Sequence, residues 1–98
     1  MNLVVWVVTG LLFSAGLSVV VLRRQLLAML LGVELMVAAV NVALVHQACL
    51  LSDAEALAAV ALIIAVAAAE AVVGLSLILR ARRAGLGLDA ADLSELRG

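Results

Sequence analysis

The chain has 98 residues, of which 68% are hydrophobic, two are aromatic and none is proline, and its formal net charge is −1. A soluble domain of this size leaves much of its surface in water, so the composition excludes a soluble fold and indicates an integral membrane protein. There is no basic patch with interleaved aromatic residues for binding nucleic acid. The single Cys49 excludes an intrachain disulfide, and no Cys/His cluster has metal-ligand spacing.

The first apolar run covers residues 3–22 and contains no charged side chain. About 20 helical residues cross the roughly 30 Å hydrocarbon core of a bilayer, so this run predicts one transmembrane helix. Arg23 and Arg24 end the run. The second apolar run covers residues 25–45 and predicts a second helix, which contains one charged residue, Glu34.

A polar connection at residues 46–55 separates the second run from the third, and Asp53 is suited to cap the following helix. The third run, residues 56–79, predicts a third helix with one charged residue, Glu70. A tail at residues 80–98 begins with three arginines among its first four residues. The chain is therefore predicted to form a single all-α membrane domain of three transmembrane helices.

The arginines predict the orientation of these helices. All six lie in the connection after the first run or in the tail, whereas residues 46–55 contain Asp53 and Glu55 and no basic residue. An open sheet of three strands would leave backbone hydrogen-bonding groups unpaired in lipid, so the spans are predicted to be helices. Their short connections make neighbouring helices antiparallel. The positive-inside rule then places the N-terminus outside and the tail in the cytoplasm.

Glu34 and Glu70 are the candidate functional residues. Glu34 lies ten residues after Arg24 and Glu70 ten residues before Arg80, so both are about 15 Å from the same membrane boundary. Two acids at this depth cost roughly 5–7 kcal/mol on the insertion scale, and such residues usually mark ion or proton pathways. The alternative is that each acid only binds a polar group of a neighbouring helix.

Asn41 lies seven residues after Glu34 and therefore on nearly the same helix face, where the two form a thin polar stripe. An interhelical hydrogen bond and a role in carrying water are both open for this supporting polar residue. Glu70 instead lies among small residues, Ala67 and Gly74 included, which allow another helix to approach closely.

Three segments resemble subunit K of the proton-pumping NADH:quinone oxidoreductase, respiratory complex I. They are RRQLLAMLLGVELMVAAVN (23–41), AVAAAEAVVGLSLIL (65–79) and the ending DLSELRG (92–98). The resemblance covers nearly the whole chain and includes its length and its three spans. One departure is Ala38, at a position where the family commonly has asparagine.

The resemblance implies roles for four residues. Glu34 and Glu70 match the intramembrane glutamates that the family uses in proton translocation, and Arg23 and Arg24 match a pair that matters for coupling and assembly. The chain would then be a non-redox subunit of a translocase, inactive in isolation and without a cofactor of its own. Flavin, iron–sulfur clusters and quinone would be bound by other subunits.

The resemblance also implies a place in the cell. The chain would be a multi-pass protein of the inner (plasma) membrane, between the quinone-binding region and the antiporter-like subunits. Two alternatives remain, a small subunit of a multisubunit cation/proton antiporter and a structural membrane subunit. A rotor-ring subunit of ATP synthase fits less well, because it would have two helices and one carboxylate.

Overall fold

The computed structural model describes residues 2–90, and the end of the predicted cytoplasmic tail, residues 91–98, lies outside the described part of the chain. The described residues form three helices, α1 (Asn2–Leu22), α2 (Leu26–Leu50) and α3 (Ala54–Arg83). Each is long and apolar enough to cross a membrane. The predicted all-α fold with three membrane-spanning helices is therefore confirmed.

The connection between α2 and α3 is shorter than the sequence pattern indicates. The helix α2 continues to Leu50, because the residues after 45 include no glycine or proline to end it. Ser52 then has a positive φ of 51°, and the Asp53 side chain accepts a hydrogen bond from the Ala56 N–H at 3.0 Å. This cap begins α3 at Ala54, so only residues 51–53 connect the two helices.

The helix α2 lies in the centre and packs against both α1 and α3, which contact each other only weakly. The helix α1 crosses α2 at the point where Gly16 lies against Gly32. A Cβ atom built on Gly16 would lie 2.6 Å from the Gly32 carbonyl oxygen, and one built on Gly32 would lie 2.8 Å from the Gly16 carbonyl oxygen. The two helix backbones are therefore in direct contact, as small residues permit in membrane helices.

The helices α2 and α3 run antiparallel, and a contact between the second turn of α2 and the second half of α3 sets their register. The end of the Leu30 side chain covers Gly74, at 3.1 Å from the position of a Cβ atom there. Leu30 lies four residues before Glu34, and Gly74 lies four residues after Glu70. Because the helices are antiparallel, this contact brings Glu34 and Glu70 to the same level of the bundle.

The chain after α3 returns to the connection between α1 and α2. The Leu26 N–H donates to the Leu88 carbonyl at 2.8 Å, and the Ala90 N–H donates to the Arg24 carbonyl at 2.9 Å. These bonds pair Gln25 with Asp89 in an isolated antiparallel bridge. We call this end of the bundle, which carries the arginines at positions 23, 24, 80, 82 and 83, the arginine end. The opposite end, with residues 51–53, is the loop end.

Candidate functional site

Glu34 lies on α2, half-buried, beside a cleft between α2 and α3. One oxygen of its carboxyl group, Oε1, is buried and has no hydrogen-bond partner within the described residues. The cleft, here called the Glu34 cleft, has a volume of about 290 Å³. Its lining residues are Glu34, Val37, Ala38, Asn41, Ile64, Ala67 and Ala68.

Asn41 lines the same cleft, so the helical spacing does bring the amide and the carboxyl group to one surface. Asn41 is half-buried, and its Oδ1 atom also lacks a hydrogen-bond partner in the part of the chain that is described. A buried polar oxygen without a partner costs free energy unless water or another chain supplies a donor. The Glu34 cleft is roomy enough for several waters at about 30 Å³ each.

Glu70 lies on α3 and is exposed on the surface of the bundle. It lines a second cleft, here called the Glu70 cleft, with a volume of about 270 Å³. The other lining residues are apolar: Val37, Leu62, Ile63, Val66 and Ala67. None of the side-chain hydrogen bonds formed among residues 2–90 involves Glu70. A carboxyl group at this depth would face lipid unless another subunit covers it.

The two glutamates lie at one level but on opposite sides of the contact between α2 and α3. The two clefts share only Val37 and Ala67, and these apolar side chains form the wall between them. The sequence predicted the common level but not the opposite sides. Ala67 and Gly74, seven residues apart, mark the contact line of α3, and Glu70 lies beside this line.

The arginines lie away from both clefts. Arg23 and Arg24 are exposed in the connection at the arginine end, and neither cleft is lined by a basic residue of the described chain. The helix from Leu26 to Glu34 alone rises by about 12 Å, and Arg24 lies before its start. The side chains of residues 2–90 therefore provide no counter-charge at either glutamate.

The sequence pattern places His46 in the polar connection, but the structure places it within α2. It lies on α2, where its ring meets the Trp6 ring of α1 edge-on, with centroids 6.5 Å apart and an interplanar angle of 90°. Its Nε2 atom is buried and has no hydrogen-bond partner among residues 2–90. The sequence does contain a signal for this position, because residues 33–50 include no glycine or proline that would end the helix before His46.

Comparison with known proteins identifies relatives of similar length. Residues 4–98 match the family described as NADH-ubiquinone/plastoquinone oxidoreductase chain 4L. NADH-quinone oxidoreductase subunit K of Persephonella marina is 43% identical over 91 residues, which cover 93% of this chain and 91% of that protein. The proteins of the same name from a Sulfurihydrogenibium species and Deinococcus radiodurans are 41% and 38% identical over 90 residues. These matches cover 92% of this chain and 90% and 87% of the two relatives.

Proposed function

The chain belongs to the NADH-ubiquinone/plastoquinone oxidoreductase chain 4L family, and we propose that it carries protons within the membrane arm of a proton-pumping NADH:quinone oxidoreductase. It is a subunit of this oxidoreductase complex, and its own residues carry out no redox step. Flavin, iron–sulfur clusters and quinone belong to other subunits, and quinone reduction there supplies the free energy. Family membership favours this function over an antiporter subunit or a purely structural subunit.

The observation that carries the proposal is the arrangement of Glu34 and Glu70. Glu34 lies about a third of the way along α2 and Glu70 about halfway along α3, at one level and on opposite sides of the α2–α3 contact. Each costs about 2.5–3.5 kcal/mol to place at the centre of a membrane helix, a cost that a packing role does not require. A subunit with one acid on each side is suited to pass protons between two neighbouring subunits.

The geometry of the clefts supports the following route for the proton. The Glu34 carboxylate takes a proton from water in its cleft and later returns it, and Asn41 helps to hold that water. Val37 and Ala67 separate the two carboxyl groups with an apolar wall, so a proton passing from one to the other travels through water that neighbouring subunits enclose. Glu70 exchanges its proton on the other side of α3.

The orientation and the partners are part of the same proposal. The arginine end faces the cytoplasm, because basic residues are retained on that side of the plasma membrane. Arg23 and Arg24, with exposed side chains at this end, attract acidic groups of a partner subunit and thereby assist assembly and coupling. The partners are the antiporter-like subunits on one side and the subunits close to the quinone site on the other.

The test replaces each glutamate by glutamine in cells that make the complete complex. Glu34→Gln and Glu70→Gln keep the size and hydrogen-bonding capacity of the side chain but remove its exchangeable proton. Electron transfer from NADH to quinone and proton uptake are measured together in inverted membrane vesicles. We expect both variants to assemble and to lose most of the proton pumping. Glu55→Gln, at the exposed start of α3, serves as the matched control and should pump normally.

The same experiment separates a relay from a packing role. If the acids only bind a neighbouring helix, glutamine substitutes for them and both variants retain pumping, while Glu34→Leu loses assembly. Pumping and electron transfer at the level of the unmodified complex in both glutamine variants would therefore refute the relay.

A further inference from the structure

We propose that a file of water molecules connects Glu34 with the loop end of the bundle, and that His46 is its proton-exchanging group there. The inference rests on the proposed function, because it assigns Glu34 a connection to one aqueous side. It is carried by three buried polar atoms without hydrogen-bond partners in the described chain: Glu34 Oε1, Asn41 Oδ1 and His46 Nε2. All three lie on α2 and line two adjoining clefts.

The second of these clefts lies nearer the loop end and has a volume of about 470 Å³. All three helices contribute to it, with α2 between α1 and α3. We call it the loop-end cleft, and it is lined by Val5, Asn41, Val42, Val45, His46, Cys49, Val60 and Ile64. Asn41 and Ile64 also line the Glu34 cleft, so the two clefts meet at these side chains.

The spacing along α2 suits a short chain of waters. Seven residues separate Glu34 from Asn41, a rise of about 10 Å, and five more lead to His46, a rise of about 8 Å. Neither gap can be closed by a direct hydrogen bond, which requires about 3 Å between heavy atoms. Buried water typically needs two to four polar partners. The Asn41 amide and the groups at either end supply such partners along this line.

The surroundings of His46 favour proton exchange over a fixed ion pair. It faces Trp6 and Val5 from α1 and Val60 and Ile64 from α3, and among residues 2–90 the Cys49 thiol is the only other titratable group that lines the loop-end cleft. The carboxylates nearest along the chain, Asp53 and Glu55, lie exposed beyond the end of the cleft. A neutral imidazole ring has one nitrogen that accepts a proton and one that donates a proton, so it can pass a proton between two waters. In each transfer one proton binds at Nε2 and the Nδ1 proton leaves to water at the loop end, so the ring becomes neutral again with its proton on the other nitrogen.

The first test measures water access through the reactivity of introduced thiols in the complete complex in membrane vesicles. Ala38→Cys places a thiol in the Glu34 cleft, whereas Val33→Cys places one in a wholly apolar groove beside Phe13 and Met36. Both are made with Cys49→Ala to remove the natural thiol. A small charged methanethiosulfonate is added from the loop-end side, and labelling of this chain is followed by mass spectrometry.

We expect the thiol at position 38 to react at least about tenfold faster than the one at position 33, because the reactive thiolate forms only where water reaches it. Adding Asn41→Leu to the Ala38→Cys variant should slow this reaction to the rate at position 33. Equal rates at positions 38 and 33, or no effect of Asn41→Leu, would overturn the proposed water file.

The second test concerns the proton-exchanging role of His46. His46→Ala should slow proton pumping severalfold and leave the electron-transfer centres intact. Added imidazole should restore pumping, whereas pyrrole, similar in shape but unable to bind a proton, should not. Gln47→Ala, at the next position and in a different groove, is the matched control and should pump normally. Normal pumping by His46→Ala, or equal rescue by pyrrole, would overturn the role of His46.

The outcomes distinguish this inference from the proposed function. If Glu34→Gln and Glu70→Gln stop pumping but the thiol rates are equal and His46→Ala pumps normally, the relay stands and the connection to the loop end is wrong. If the two glutamine variants pump normally, the relay itself is wrong. The difference in thiol reactivity then still decides whether water reaches the Glu34 cleft.

Discussion

Replacing Gly16 by alanine is expected to force α1 and α2 apart. The new methyl group would lie 2.6 Å from the Gly32 carbonyl oxygen, 2.9 Å from Met36 Cγ and 3.0 Å from Leu35 Cβ, whereas ordinary contacts begin at 3.4 Å. The Gly32 oxygen would have to move by the difference between 3.4 and 2.6 Å, which is 0.8 Å. Because it belongs to the backbone of α2, the helix has to move with it.

Overpacking of this kind costs about 1–3 kcal/mol, and the rigid backbone on the far side makes the upper part of this range the better estimate. Alanine favours helix over glycine by about 1 kcal/mol in water. In lipid this gain largely cancels, because the segment stays helical whether or not it packs. A loss of about 2–3 kcal/mol lowers the equilibrium constant for packing α1 on α2 by roughly 30- to 150-fold.

The assay is the yield of assembled complex on native gels, together with the temperature at which its electron transfer is half inactivated. Gly10→Ala is the matched control on the same helix, because nothing lies within 4 Å of its new methyl group. We expect Gly10→Ala to match the unmodified complex and Gly16→Ala to assemble poorly. Equal yield and thermal stability of the two variants would refute the close crossing of α1 and α2.

Three further changes test the ends of the helices. Asp53→Ala removes the cap of α3 and should cost about 1 kcal/mol, measured as faster amide exchange in its first turn, while Asp53→Ser should not. Ser52 has a positive φ, so Ser52→Val should destabilise the folded chain by about 1–2 kcal/mol and lower its inactivation temperature. A valine variant with an unchanged inactivation temperature would contradict the positive φ at this position. Ala90→Pro removes the N–H that donates to the Arg24 carbonyl in the bridge at the arginine end. The lost hydrogen bond should destabilise the bridge by about 1 kcal/mol, so the Leu26 amide should exchange about fivefold faster. Ala90→Ser keeps that donor, and equal exchange in both variants would show that the bridge does not form.

Sequence pattern alone predicted the number of helices and the common level of the two glutamates. Both follow from local properties, namely the length of apolar runs and the rise per residue. The exact end of α2 did not follow, because His46 and Gln47 are polar without being helix breakers. Asp53 was predicted as a cap from its residue type, and the structure confirms the hydrogen bond to the Ala56 N–H.

Contacts between helices were harder to predict, because they depend on which faces meet. Gly10 and Gly16 look equivalent in the sequence, yet only Gly16 touches another backbone. For the same reason the sequence did not reveal that Glu34 and Glu70 lie on opposite sides of the α2–α3 contact. Rotating either helix by half a turn would change the side without changing the level or the composition of the spans.

The exposed position of Glu70 affects the abundance of this protein in the cell. A copy that has not found its partners presents a carboxyl group to lipid, which costs about 2.5–3.5 kcal/mol and makes the free subunit less stable in the membrane than the assembled one. Its abundance would then follow the supply of its neighbours and not its own rate of synthesis. The same side chain would thus tie the stoichiometry of the assembly to the supply of its neighbours.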